Sequence, residues 1–152
     1  MLGRIAATLC SVLVCLPAFA GPREDALAAY QKFFEAFTTG NQDQIVQLFA
    51  PDALFFGTRS TELVTTPAGI REYFVSALSG NRGAVKATSF GQTALALSDS
   101  VVAISGKWQS ERTTDGKMVT GGPSRNTVVM HRRGDRWLIV QFHNSPTPKA
   151  AR

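Results

Sequence analysis

Cysteine is nearly absent from this chain of 152 residues. Cys10 and Cys15 are its two cysteines, and both fall inside an apolar stretch, 5–16, that follows the single basic residue Arg4. Pro17 breaks that stretch, and Ala18-Phe19-Ala20 supplies the small–x–small pattern of a signal-peptidase site. Residues 1–20 are therefore expected to be a signal peptide, with an exported, periplasmic or secreted chain starting at Gly21. Neither cysteine has both a leucine three places before it and a small residue just before it, which excludes a lipoprotein signal. The mature chain then has no disulfide, metal-thiolate cluster or redox thiol to lean on.

Histidine is equally scarce. His131 and His143 are the two in the chain, too few with no mature cysteine for a structural zinc site, so no metal and no cofactor are expected. Long hydrophobic runs are missing too. The twelve positions of 5–16 fall short of the roughly 20 that a bilayer span needs, so no membrane association is expected after cleavage. Basic residues do not form a stripe with interleaved aromatics, which argues against a nucleic-acid partner. Their densest group, Arg132, Arg133 and Arg136, flanks a turn. Removing Arg4 with the leader leaves 15 Lys and Arg against 11 Asp and Glu, a net charge of +4. Internal repeats and low-complexity segments are also absent.

What is present is one domain's worth of patterned chain, 21–145, with 146–152 expected as a flexible tail. Pro22, Glu24 and Asp25 suit a helix N-terminus, Leu27, Tyr30, Phe34 and Phe37 follow at helical spacing, and Gly40 stops the run. Asn41 can cap a shorter second helix carrying Ile45, Leu48 and Phe49, ended by Pro51-Asp52. A short strand is expected over 53–56. Thr66-Pro67 opens a third helix with Ile70, Tyr73, Phe74, Ala77 and Leu78 as its apolar face. Beyond Gly83 the period changes to two. Strands are expected over 84–97, 101–112, 117–120, 126–132 and 136–144, with turns at Ser98-Asp99-Ser100, Asp115-Gly116 and Gly134-Asp135. Gly121-Gly122-Pro123 reads as a bend between strands. Helices followed by antiparallel strands mean an α+β fold, three N-terminal helices on one face of a strongly curved, mostly antiparallel sheet. A pocket is expected at the open end of the cone.

The last hairpin carries a family likeness. His131-Arg132-Arg133-Gly134-Asp135-Arg136-Trp137-Leu138-Ile139-Val140-Gln141-Phe142-His143-Asn144-Ser145 resembles the C-terminal hairpin of the calcium/calmodulin-dependent protein kinase II association domain. That domain belongs to the nuclear transport factor 2-like (cystatin-like) superfamily, with the SnoaL-like cyclases and ketosteroid isomerases. Thr38-Thr39-Gly40-Asn41, then Leu48-Phe49 and Pro51-Asp52, also look like the family's first loop and second helix. The resemblance implies a conical pocket and assembly through the sheet into a homodimer or higher homo-oligomer. It does not imply kinase activity, since no kinase catalytic motif is present. The association domain lines its pocket with one arginine in each strand of this hairpin, and Val128 and Asn144 stand at the matching positions. A ligand is then less acidic or bound differently.

Five residues stand out as ligand-binding candidates: Tyr30, Trp108, Arg125, His143 and Asn144. Tyr30 fits the pocket tyrosine of the isomerase-like members, or a satisfied core tyrosine. A bulged residue in the 133–136 turn would set Arg125 opposite His143, whereas a plain two-residue loop would set it opposite Asn144. His143 is then a proton carrier or a structural imidazole at a subunit contact. Trp108 lines the pocket mouth or simply packs, and Trp137 packs in the core or an interface. Asp52 and Glu62 are the possible bases. Alternation in the final hairpin would put Val128, Met130, Leu138, Val140 and Phe142 on one face, with Val129, Trp137 and Ile139 on the other. Three functions are open: a pocket protein for a small organic molecule; a cyclase, isomerase or dehydratase using Tyr30 or His143; and a non-catalytic oligomerisation module.

Overall fold

The computed structural model describes residues 21–79 and 86–148. The expected leader, the start of the 84–97 strand and 149–152 lie outside the described residues. Helix α1, Pro22–Thr39, opens with proline in its first turn and carries Glu24 and Asp25 where the helix dipole favours acids. It closes on Gly40 at φ +67°, with the Gly40 and Asn41 N–H groups donating to the Phe37 and Ala36 carbonyls. That paired return needs a left-handed residue, which glycine supplies without strain. Helix α2, Gln42–Val46, is capped by Asn41, whose side chain accepts from the Gln44 N–H at 3.0 Å. Helix α3, Pro67–Leu78, is capped in the same way by Thr66, which accepts from the Gly69 N–H at 3.1 Å.

One boundary differs from the sequence expectation. Strand β1, Phe49–Phe56, starts inside the stretch expected to close α2, and runs through Pro51 and Asp52. It tolerates the proline because it is an edge strand and its pairing with β6 is irregular between Phe49 and Leu54. The other strands are β2 (Lys86–Ala96), β3 (Val101–Thr114), β4 (Lys117–Thr120), β5 (Ser124–Arg133) and β6 (Arg136–Pro146). The expected tail is held for its first two residues. Pro146 ends β6, and the Thr147 N–H donates to the Pro123 carbonyl at 2.8 Å. The sheet order is β1-β6-β5-β3-β2, with β4 paired to β3. β1 runs parallel to β6, while the other pairs are antiparallel.

The fold is the expected α+β one, a curved sheet in the nuclear transport factor 2-like arrangement. α1 lays Tyr30, Phe33, Phe34 and Phe37 against Val102, Ile104, Val128, Met130, Ile139 and Phe142 of the sheet. Phe33 is the hub of this core, in ring contact with Phe74 of α3, Trp108 of β3 and Phe142 of β6. A core this rich in aromatic area replaces the covalent staples the described chain lacks. No helix among the described residues is long and apolar enough to cross a membrane.

The last hairpin settles the register. Arg133 faces Arg136 across a plain two-residue Gly134-Asp135 turn. The irregularity lies further in, where Met130 pairs with Ile139 and Val129 with Gln141, leaving Val140 without a partner across the ladder. Arg125 therefore faces Ser145, and neither His143 nor Asn144. The bulge also corrects the expected faces. Ile139 is buried with Val128, Met130 and Phe142, while Leu138 and Val140 are only partly buried.

Candidate functional site

Between α1, α3 and the sheet lies a cavity of about 270 Å³. Its wall is aromatic, made by Phe33, Phe37, Phe74, Tyr73, Trp108 and Phe142. Its polar groups are Thr58, Arg59, Ser110, Arg112, Ser124 and Asn144, and the Gly121-Gly122 bend closes one side.

Three local devices place these groups. Trp108, Ser110 and Arg112 alternate along β3, so one face of one strand carries indole, hydroxyl and guanidinium in a row along the cavity. Thr58 and Arg59 sit on a loop closed at its base by a two-way backbone bridge between Phe55 and Val64, at 2.9 and 3.0 Å. Inside that loop the Gly57 N–H donates to the Ser60 Oγ at 2.9 Å. Gly57 itself is buried against Tyr73, and a Cβ there would fall 2.1 Å from the Tyr73 Cζ. The glycine thus lets the tyrosine lie flat beside the loop and present to the cavity.

A buried polar chain joins wall to mouth. The Trp108 Nε1–H donates to the Asn144 Oδ1 at 2.9 Å, and the Asn144 amide donates to the Thr58 Oγ1 at 2.5 Å. Trp108 is 7 % and Asn144 5 % exposed, so this chain satisfies groups that would otherwise be costly to bury. A second polar pair lies beside it. Asn126, opposite Asn144 in the β5–β6 ladder, donates to the Tyr30 Oη at 2.6 Å. Burial pushes the Tyr30 phenol far above its usual range, against the smaller opposing effect of the Asn126 hydrogen bond.

Of the five residues singled out from sequence, Trp108 and Asn144 meet at the cavity wall. Tyr30 is a buried core tyrosine and is not among the lining residues. Arg125 and His143 are exposed on the opposite face of the sheet. There the Arg125 Nε donates to the Ser145 Oγ at 3.3 Å, and the His143 ring lies 6.1 Å from that of Phe56. Asp52 is engaged elsewhere, in a two-pronged pair with Arg133 at 2.7 and 3.0 Å. That guanidinium holds its carboxyl below the usual carboxylate range. Glu62 is not among the lining residues either. No cluster of three or more potential metal ligands occurs among the described residues.

Sequence reasoning missed Arg59 and Arg112. Arg112 was within reach, because a period of two from Trp108 leads to it on the same strand face. Arg59 had no signal, being one basic residue in a loop whose fold depends on the Phe55–Val64 bridge.

A SnoaL-like domain model matches residues 26–149 of the chain. Among solved structures, the chain is similar to a Xanthomonas campestris protein assigned as a calcium/calmodulin-dependent protein kinase II association domain. The identity is 27 %, the TM-score 0.75, and the match covers 95 % of this chain and 100 % of that one. It is also similar to the association domain of C. elegans CaMKII, at 18 % identity and TM-score 0.69, over 80 % and 93 % of the two chains. A Streptomyces avermitilis protein of the NTF2-like family, assigned as a dehydratase, matches at 13 % identity and TM-score 0.73, over 83 % and 96 %. These last two likenesses concern the fold alone. No curated protein matches.

Proposed function

Because the chain belongs to the SnoaL-like domain family, we propose that it is an exported pocket protein that binds a small organic molecule in its cone. The observation that carries this reading is the cavity itself. It has an aromatic wall, a few convergent polar groups and about 270 Å³, just under the roughly 300–1,000 Å³ usual for small-molecule sites. The ionisable side chains of its described lining are Arg59, Arg112 and Tyr73. No carboxylate, imidazole or lysine amine is among the described lining residues, which favours binding over proton-transfer chemistry.

Export rests on the composition of 1–20, and N-terminal sequencing of exported material should read from Gly21; an intact Met1 on the soluble protein would refute it. Self-association rests on the sheet face turned away from the helices. Leu95, Ala103, Val129, Gln141 and Leu54 form one continuous row across it, and Phe56 and Leu138 stand in neighbouring rows. Leu54, Phe56 and Leu95 are exposed, leaving apolar surface that a second copy would cover. Sedimentation at micromolar concentration should show a dimer or larger species.

The pocket is tested by a thermal-shift screen of small organic molecules against the mature chain and its Ala77→Phe variant, which fills the cavity from α3. Compounds that stabilise the first and not the second mark the site. A screen whose hits all survive the filled cavity would overturn the reading.

A further inference from the structure

We propose that the ligand is an organic acid that enters ring first, its oxyanion held at the mouth by Arg59 and Arg112 and its ring against Trp108, Phe37 and Phe74. This deepens the pocket reading and rests on it. Both guanidinium groups line the cavity, and no carboxylate does among the described residues. The ion pairs among the described residues lie elsewhere, between Asp43 and Arg71 and between Asp52 and Arg133, so neither cavity arginine is neutralised by one. Two like charges beside a low-dielectric aromatic wall focus a positive potential on the opening. A guanidinium presents a planar fork of donors that matches an oxyanion, and the hydroxyls of Thr58, Ser110 and Ser124 add short-range donors.

The orientation follows from what stands deeper. Phe33, Phe74 and Phe142 of the lining are buried apolar rings. The buried polar side chain beside them, Asn144, is neutral and already bonded to Trp108 and Thr58. The charged groups of the lining stand instead on an exposed loop, at Arg59, and at the far end of β3, at Arg112. An acid seated here keeps its charged end near solvent and its apolar body inside, which avoids the cost of burying the charge.

The test is calorimetric, with matched probes that differ only in charge: phenylacetate against phenylacetamide, and 1-naphthylacetate against its amide. For the mature protein each acid is expected to bind at least about tenfold more tightly than its amide, and that advantage should shrink as salt is raised. In the Arg59→Gln/Arg112→Gln variant the acid should fall to the level of the amide while the amide is unchanged. Equal binding of acid and amide by the unmutated protein, or an advantage indifferent to both arginines and salt, would refute the acid while leaving the pocket intact. Amide tighter than acid would do the same. Binding of none of the four probes would refute the ring-first acid, while the pocket reading stands or falls on the Ala77→Phe screen. The salt titration on the unmutated protein decides the matter even if the double variant folds poorly.

Discussion

Replacing Asn144 with alanine isolates the value of the polar chain in the cavity wall. The substitution removes the acceptor of the Trp108 indole N–H, which is buried and has its 2.9 Å bond to that oxygen alone. The other partner, Thr58, lies on an exposed loop and can turn to water. The atoms lost border a chamber that is already open, so the added void costs little. The dominant effect is then one orphaned buried donor, about 1–3 kcal/mol. Taking about 2 kcal/mol, and a urea dependence near 1.5 kcal/mol/M, the unfolding midpoint should drop by roughly 1.3 M. Trp108→Phe removes the donor instead. In that background Asn144→Ala should cost about 1 kcal/mol less, because no indole N–H remains to be stranded. Urea unfolding of the four members of the cycle measures both quantities. A midpoint shift below about 0.3 M for Asn144→Ala, or strictly additive losses, would mean that the indole is satisfied by something other than Asn144.

Gly57→Ala should destabilise the protein by about 1–3 kcal/mol, since its Cβ would overlap the Tyr73 ring and the ring is held by Phe55 and Phe74 at 4.8 and 5.3 Å. Combining it with Tyr73→Ala should recover part of that loss in thermal unfolding. The Asp52 carboxyl should titrate below an ordinary aspartate in carbon-detected NMR, and Arg133→Ala should raise it. Because its folded-state pKa is depressed, the small stabilisation from this pair is present above the unfolded aspartate pKa and fades as pH falls through the folded one.

The helices were legible because their ends are chemical. Asn41 and Thr66 are side-chain acceptors placed where a helix leaves N–H groups unpaired, and Gly40 is the residue that can take a left-handed stop. The hairpins were legible for the same reason: Asp115-Gly116 takes positive φ at both residues, and Gly134 takes it in the last turn. Long-range pairing was harder to see. Pro51 reads as a terminator because proline lacks an N–H, yet an edge strand with irregular pairing does not need that donor. The cavity was half visible. Trp108 and Asn144 could be chosen by type and position, whereas Tyr30 satisfies its hydroxyl inside the core and Arg59 depends on a loop closure between residues nine apart.

The unpaired Val140 has a consequence for how such a pocket can diversify. Before it, the odd-numbered residues of β6 face the helices, as Ile139 does; after it the even-numbered ones do, as Phe142 and Asn144 do. Paired as an unbroken ladder from the same turn, the identical residues would send Gln141 and His143 inward and put Phe142 and Asn144 in water. The cavity would then hold an imidazole, which can take up and release a proton, in place of an amide that cannot. Whether this wall is inert or titratable is therefore decided by a backbone irregularity five residues from the turn's far end. Relatives could exchange one character for the other by moving a bulge, with every side chain of the hairpin retained.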